Sequence, residues 1–512
     1  AELTLTGGTL AASNTITGSG NLTVTDNLTN LAAIQQDGQV SITKGLFDNQ
    51  KSITAGSVSI AEGAGLKTDA SNVTTTDGVA NAGDLTFTGG ANNNEITGNG
   101  NLFITGDVTS NASIEQSSVT VTGSHFSQYA ALEATDVVVA EGSNVSIGGE
   151  FAADQVLNDG IFVIENGLTN DSSAEYKGIG TLSIKANTTF NNNSSIRQST
   201  VTIESGSSLT SSADDIITTD GVLNDGTFMI TGGTNKNEIS GSGELLIEGN
   251  GVINSTGAAI SQKKIIISSG KDFTTSANDV TTEEEMENHG TLNFTGGTNN
   301  NIISGTDGTL NVEDSLVNNK MISQSDININ KGIFNNVRGS SIIATNVTAA
   351  NDTVIITDAG DFSSNIATNM SLGENSVLNL LDDTDAEFTA NVTGSGEIVK
   401  QGSGTVTLSG TNGYSGTTTI TDGAIRIASA NNISANTIYA DGGKFIVDTS
   451  AGDVSLSNEI VATDHNDANI EVEGDGSTIL DGEILGNANL VKTGTGILDL
   501  QMATNSYVGD TM

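Results

Sequence analysis

A fivefold internal repetition constrains this chain more than anything else in it. The motif Ile-x-Gln recurs as Ile34-Gln35-Gln36, Ile114-Glu115-Gln116, Ile196-Arg197-Gln198, Ile260-Ser261-Gln262 and Ile322-Ser323-Gln324, at intervals of 62 to 82 residues. A Gly-rich phrase with alternating apolar residues precedes it. The clearest copies are Glu95-Ile96-Thr97-Gly98-Asn99-Gly100-Asn101-Leu102-Phe103-Ile104 and Glu238-Ile239-Ser240-Gly241-Ser242-Gly243-Glu244-Leu245-Leu246-Ile247. A unit that recurs in this way cannot bury its apolar face alone and must stack on its neighbours. The repetition therefore predicts a solenoid, against the several separate domains that 512 residues would otherwise suggest.

Composition agrees. The chain has no Pro, where ordinary usage of about 5% predicts roughly 26. Proline cannot donate to a ladder, so a chain whose segments pair on both sides excludes it. The 62 Gly, with abundant Asn, Asp, Ser and Thr, supply turns every few residues. The absence of Cys excludes a disulfide scaffold and Cys-based metal sites, and it suits a protein exported unfolded. The net charge of −44, from 61 acidic and 17 basic residues, repels nucleic acid, anionic lipid and polyanionic glycans. The acidic residues are spread along the chain and read as a solubilising coat. No apolar run is long enough to span a membrane, and Ala1 opens directly on a strand-like segment without a signal peptide. A mature or excised portion of an exported protein is expected.

Short period-two segments such as Leu22-Thr23-Val24, Val119-Thr120-Val121, Leu182-Ser183-Ile184 and Val201-Thr202-Ile203 break at Gly or Asn, the pattern of strands with apolar residues inward and Thr or Ser outward. The super-repeat divides into three coils of roughly 20 to 26 residues, which favours a parallel β-helix over a propeller with its blades of about 40 to 50. About 20 to 24 coils at roughly 4.8 Å would make a rod on the order of 100 to 120 Å long. Further phrases agree from unit to unit. Asn81-Ala82-Gly83-Asp84-Leu85-Thr86-Phe87 matches Asn224-Asp225-Gly226-Thr227-Phe228-Met229-Ile230 and Asn288-His289-Gly290-Thr291-Leu292-Asn293-Phe294, and more loosely Asn158-Asp159-Gly160-Ile161-Phe162. The Asn-x-Gly step predicts a tight turn into a strand, with Phe inward. The repeated Gln and the runs Asn92-Asn93-Asn94, Asn191-Asn192-Asn193 and Asn299-Asn300-Asn301 predict amides that bond nearby backbone and ladder between aligned coils.

After about residue 380 the phrase changes. The stretch from Gly394 to Gly416 contains Ile398-Val399-Lys400-Gln401-Gly402-Ser403-Gly404-Thr405-Val406-Thr407-Leu408 and then Asn412-Gly413-Tyr414-Ser415-Gly416. It recurs 92 residues later as Leu490-Val491-Lys492-Thr493-Gly494-Thr495-Gly496-Ile497-Leu498-Asp499-Leu500 and Asn505-Ser506-Tyr507-Val508-Gly509-Asp510-Thr511. These segments resemble the passenger-associated strand repeat of bacterial autotransporters (type V secretion), although Ile398 and Val406 stand where Leu is usual. The resemblance covers about 50 residues directly. It implies an all-β, right-handed parallel β-helix forming an elongated rod, exported through the outer membrane by a C-terminal barrel, with such repeats aiding folding during secretion. Residues 1–380 are then a repetitive β-helix of about five super-repeats, and 381–512 its continuation with two strand repeats. Nothing like a barrel precedes Met512, so the translocator is expected to be cleaved, truncated or encoded elsewhere.

Chemistry is sparse. Paired carboxylates that could serve a glycoside hydrolase occur at Asp382, Asp383 and Asp385 and at Asp214 and Asp215, but 61 acidic residues produce such neighbours by chance, without an aromatic platform beside them. The three histidines, His125, His289 and His465, sit in repeat or turn contexts. No enzyme, catalytic residue or cofactor is expected. Glu471, Glu473 and Asp475, or Asp464 with Asp467, could offer oxygens to Ca²⁺ but match no calcium-loop pattern and read as solvated faces. The run Glu283-Glu284-Glu285-Met286-Glu287 reads as an exposed loop. What remains is an extracellular adhesive or structural rod of a bacterial surface. Its polar faces would bind its own copies, as in biofilm or aggregation, or a host-cell or matrix ligand. The alternative is a surface-layer or filament subunit, assembled end to end or laterally with or without Ca²⁺.

Overall fold

The computed structural model describes residues 2–13, 15–165, 174–362, 368–463, 467–502 and 504–512. Ala1, Asp464 and His465 lie outside these. Among the described residues the chain is all-β apart from short 3-10 turns, and every strand pairing is parallel, as a β-solenoid requires. The chain divides into two compact units, Ala1–Glu248 with Ala258–Lys263, and Gly249–Gly257 with Lys264–Met512.

In the first unit one line of aligned residues runs Leu3, Leu22, Val40, Val58, Val79, Ile96, Ile114, Leu132, Phe151, each paired with the next. A coil therefore takes between 17 residues (Val79 to Ile96) and 21 (Val58 to Val79). In the second unit the line Leu316, Phe334, Ile355, Leu378, Ile398, Thr418, Ile438, Ile460, Ile484 has steps of 18 (Leu316 to Phe334) to 24 (Ile460 to Ile484). Coils are thus shorter than the expected 20 to 26 in places, and the super-repeat is not always three of them. From Ile34 to Ile114 there are four coils, with Ile53 over Ile34, Val73 over Ile53, the Asn94 amide over Val73 and Ile114 over the adjoining Ile96, whereas from Ile196 through Ile216, the Asn237 amide and the adjoining Ile239 to Ile260 there are three.

Within most strands burial alternates. Val40 and Ile42 are buried around a half-exposed Ser41, as are Val201 and Ile203 around Thr202. Each inward Val, Leu or Ile removed from water contributes about 1.5–3 kcal/mol before chain entropy is counted. Phe47, Phe87, Phe126, Phe162, Phe190 and Phe228 are buried in the first unit, and Phe273, Phe294, Phe334 and Phe388 in the second, so the Phe of the Asn-x-Gly phrase does point inward. Four aromatics stack through successive coils of the first unit. Phe151 to Phe162, Phe162 to Tyr176 and Tyr176 to Phe190 have ring centroids 5.4, 5.7 and 6.0 Å apart, in tilted to edge-on geometries.

The Gly of Asn-x-Gly is required for a reason other than turn conformation. A Cβ on Gly83 would sit 2.2 Å from Ala64 O, on Gly226 2.4 Å from Ser207 O, and on Gly290 2.2 Å from Lys271 O. Coils approach so closely there that only hydrogen fits. The Glu283–Glu287 run is not a loop. It lies within the strand Val280–Asn288, with Met286 in the core. Glu285 and Glu287 flank Met286 on the outward side, where Lys264 Nζ pairs with both. The charges hid a period-two strand.

Candidate functional site: inward clamps, strand repeats and outward rows

The two most repeated sequence phrases prove to be partners. Asn81 Nδ2 donates to Gln116 Oε1 at 2.5 Å, Asn158 to Gln198 at 2.7 Å, Asn224 to Gln262 at 2.6 Å and Asn288 to Gln324 at 2.6 Å. All eight side chains are buried. Each pair is 35 to 40 residues apart, two coils, and the Gly-rich phrase of the coil between them passes through the gap. Gln116 Nε2 donates to Gly98 O at 3.1 Å, and Gln324 Nε2 to Gly305 O at 2.9 Å. A Cβ on Gly98 would lie 2.4 Å from Asn81 O. Asn, Gly and Gln thus form one clamp through three coils, which accounts for all three recurring together. In the first copy Gln36, with its amide turned to donate, reaches Gly18 O and Gly20 O at 3.2 and 3.0 Å.

The Asn runs continue the ladder by side chain. Asn94 Oδ1 accepts from Thr75 N at 2.8 Å and its Nδ2 donates to Val73 O at 2.8 Å, as a strand backbone would. Asn301 does the same to Thr282 and Val280. Asn237 repeats it on Thr218 and Ile216, a copy the sequence concealed because Lys236 interrupts the run. The run at 191–193 differs, with Asn192 Nδ2 donating to Ser194 O and Ser211 Oγ.

The phrases near the C-terminal end are built alike. Lys400 is fully buried, and its Nζ donates to Asp382 O, Gln401 O and Gly402 O at 3.2, 2.5 and 2.7 Å. Burial pulls its ammonium below the ordinary lysine range. Asn412 Oδ1 accepts from Val392 N at 2.8 Å, and Tyr414, whose hydroxyl burial pushes up to about 12, shares a 2.5 Å bond with Thr418. In the second copy Lys492 donates to Gly494 O at 2.8 Å, Asn505 Oδ1 accepts from Ile484 N at 2.9 Å, and Tyr507 bonds Thr511.

Outward residues form rows in register. In the second unit Asn311 donates to Asn293 at 2.8 Å and Asn328 to Asn311 at 2.9 Å; in the first, Ser59 donates to Ser41 at 3.1 Å. Such rows present evenly spaced amides and hydroxyls to whatever lies alongside.

The acidic candidates are spent on neighbouring coils. Asp382 is buried and accepts from Ala359 N, Asp383 pairs with Arg338 at 3.0 Å, and Asp385 accepts from Thr405 N at 2.9 Å. Asp214 accepts from Thr234 N at 3.1 Å, beside Asp215 in a 3-10 turn. Glu471 pairs with Lys444 at 2.8 Å and Glu473 with Arg426 at 2.7 Å, while Asp475 is exposed. Asp467 accepts from Asn489 Nδ2 at 2.9 Å. Among the described residues no three His, Asp or Glu side chains converge to hold a metal. His125 contacts Asp107 at 3.2 Å; His289 lies between Glu287 (3.0 Å) and Asp307 (2.6 Å), whose bonds raise its pKa. No described helix is long and apolar enough to cross a membrane.

A known family matches where the strand repeats lie. The family model described as Passenger-associated-transport-repeat matches residues 398–427 and 490–512. The chain is 31% identical over 131 residues to the Adhesin BmaC autotransporter of Brucella suis biovar 1 (strain 1330). That stretch is 25% of this chain and 4% of the relative's length, so the chain spans a small part of the curated relative it matches. No solved structure matches. The strand repeats, this similarity and the stacked parallel coils together fit an adhesin-like autotransporter passenger, displayed at the cell surface or beyond it.

Proposed function

We propose that the chain is an adhesive, non-catalytic segment of a surface-displayed passenger and that it holds copies of itself together side by side. The supporting observation is the in-register outward rows, among them the three-amide ladder of Asn293, Asn311 and Asn328. Free amide edges repeated at the coil spacing of about 4.8 Å meet an identical row with matching period. Many weak bonds then act together, as multivalent contacts do. The carboxylates act as caps and ion-pair partners, so the reading needs neither catalysis nor a resident cofactor.

The test is to display the chain on a non-clumping bacterium and follow sedimentation of the culture. Clumping that Asn311→Asp, which adds charge in the middle of the row, reduces at unchanged surface level supports the reading. Unaltered sedimentation with the parent chain, at verified display, overturns self-association.

A further inference from the structure

We propose that the outward face around Tyr129 in the first unit binds a neutral carbohydrate. The inference rests on the adhesive reading and gives it a ligand class. Three outward columns cross five coils here. His125, Asn144, Ile161, Thr181 and Thr200 pair in succession, as do Ser127, Ser146, Val163, Ser183 and Thr202. The third column begins with Tyr129, just past the strand His125–Gln128, and Gly148, whose N–H donates to Gln128 O at 2.8 Å, takes the neighbouring place in the next coil and adds no side chain over the ring. The face encloses a groove of about 490 Å³, within the ~300–1,000 Å³ typical of small-ligand sites.

Tyr129 is 52% exposed, whereas Tyr176, Tyr414 and most phenylalanines are buried in the core. An exposed ring costs hydrophobic burial and gives a flat apolar platform with a polar tip. A pyranose ring has the complementary faces: C–H groups that pack on an aromatic and hydroxyls that need donors and acceptors around the rim. Ser127, Ser146 and Asn144 supply those around the platform, and Ile161 adds apolar floor.

Charge selects the neutral class. On a chain of net charge −44 this groove carries one Lys and one Glu beside a histidine. Lys185 is held by Glu204 at 2.6 Å and His125 by Asp107 at 3.2 Å. An anion finds no unspent positive charge here and is repelled by Glu165, whereas a neutral ligand can offer its hydroxyls to that carboxylate.

The test uses the purified full chain on an array of neutral oligosaccharides, followed by saturation-transfer NMR with the best binder. Saturable binding that Tyr129→Ala weakens at least tenfold, that Tyr129→Phe retains and that Ser146→Arg blocks supports the proposal, with circular dichroism confirming the fold of each variant. No neutral glycan binding, or binding that Tyr129→Ala leaves unchanged, overturns it. Clumping by Tyr129→Ala cells, measured alongside, separates the two ideas: clumping with no glycan binding sinks the carbohydrate site alone.

Discussion

Asn81 and Gln116 each bury an amide whose partner lies on the other. Truncating one leaves the other's polar atoms dry and unpaired, a penalty of about 1–3 kcal/mol. Gln116→Leu and Asn81→Leu should each lower urea-unfolding stability by that amount, and the double variant by less than the sum, since removing both partners removes the orphan. Lys400→Met should likewise cost about 1–3 kcal/mol, because three carbonyls lose their donor. Lys492→Met should change stability by no more than about 0.5 kcal/mol, since Lys492 caps one exposed carbonyl. The Ile-x-Gln and Asn-x-Gly motifs were legible in the sequence as repeats and as amides bonding nearby chain. Their partnership was not, because coil length varies by several residues and no fixed spacing links the two. Nor was Tyr129 legible as a surface ring. Its neighbours alternate as any strand does, and only stacked coils show that Gly148 leaves it uncovered.

At the scale of elements, the strands were read correctly wherever apolar and small polar residues alternate. They were misread at Glu283–Glu287, where acidic residues on both sides of Met286 resembled a solvated loop and Lys264 compensates from the neighbouring strand one coil back. The aromatic ladder predicts a local weakness. Phe162→Ala removes contacts to both Phe151 and Tyr176 and should cost about 3–5 kcal/mol. Hydrogen exchange should quicken in the strands Asn144–Ile147 and Thr181–Ile184, which flank it on either side. The 3-10 turn Ala359–Asp361 carries a pH dependence. Desolvation, with Asp358 and Asp382 adding repulsion, pushes Asp361 up to about 6 despite its bond from Gly339 N and the nearby Arg338. Its folded pKa lies above its unfolded value, so the native state holds a proton that the unfolded chain has lost. This group therefore favours folding below about pH 6 and loses that contribution as pH rises through 6. Denaturant midpoints compared at pH 4.5 and 7.5 should show a smaller pH difference in Asp361→Asn than in the parent.

At the scale of the whole chain, 61 acidic against 17 basic residues make like-charge repulsion the main obstacle to side-by-side association. Salt shortens the screening length from about 30 Å at 0.01 M to about 8 Å at 0.15 M. Light scattering should therefore register more association at physiological salt than at low salt. A fall with added salt would mean that ion pairs, not amide rows, join the copies.

The clamps also bear on what happens when such a passenger is pulled, as an anchored surface protein is in flow. Because Gln116, Gln198, Gln262 and Gln324 each grip an Asn two windings away, tension cannot peel those stretches one winding at a time. It would give way in bursts, each releasing the 35 to 40 residues between a Gln and its Asn, and a single-molecule stretching trace would be a sawtooth and not a smooth ramp.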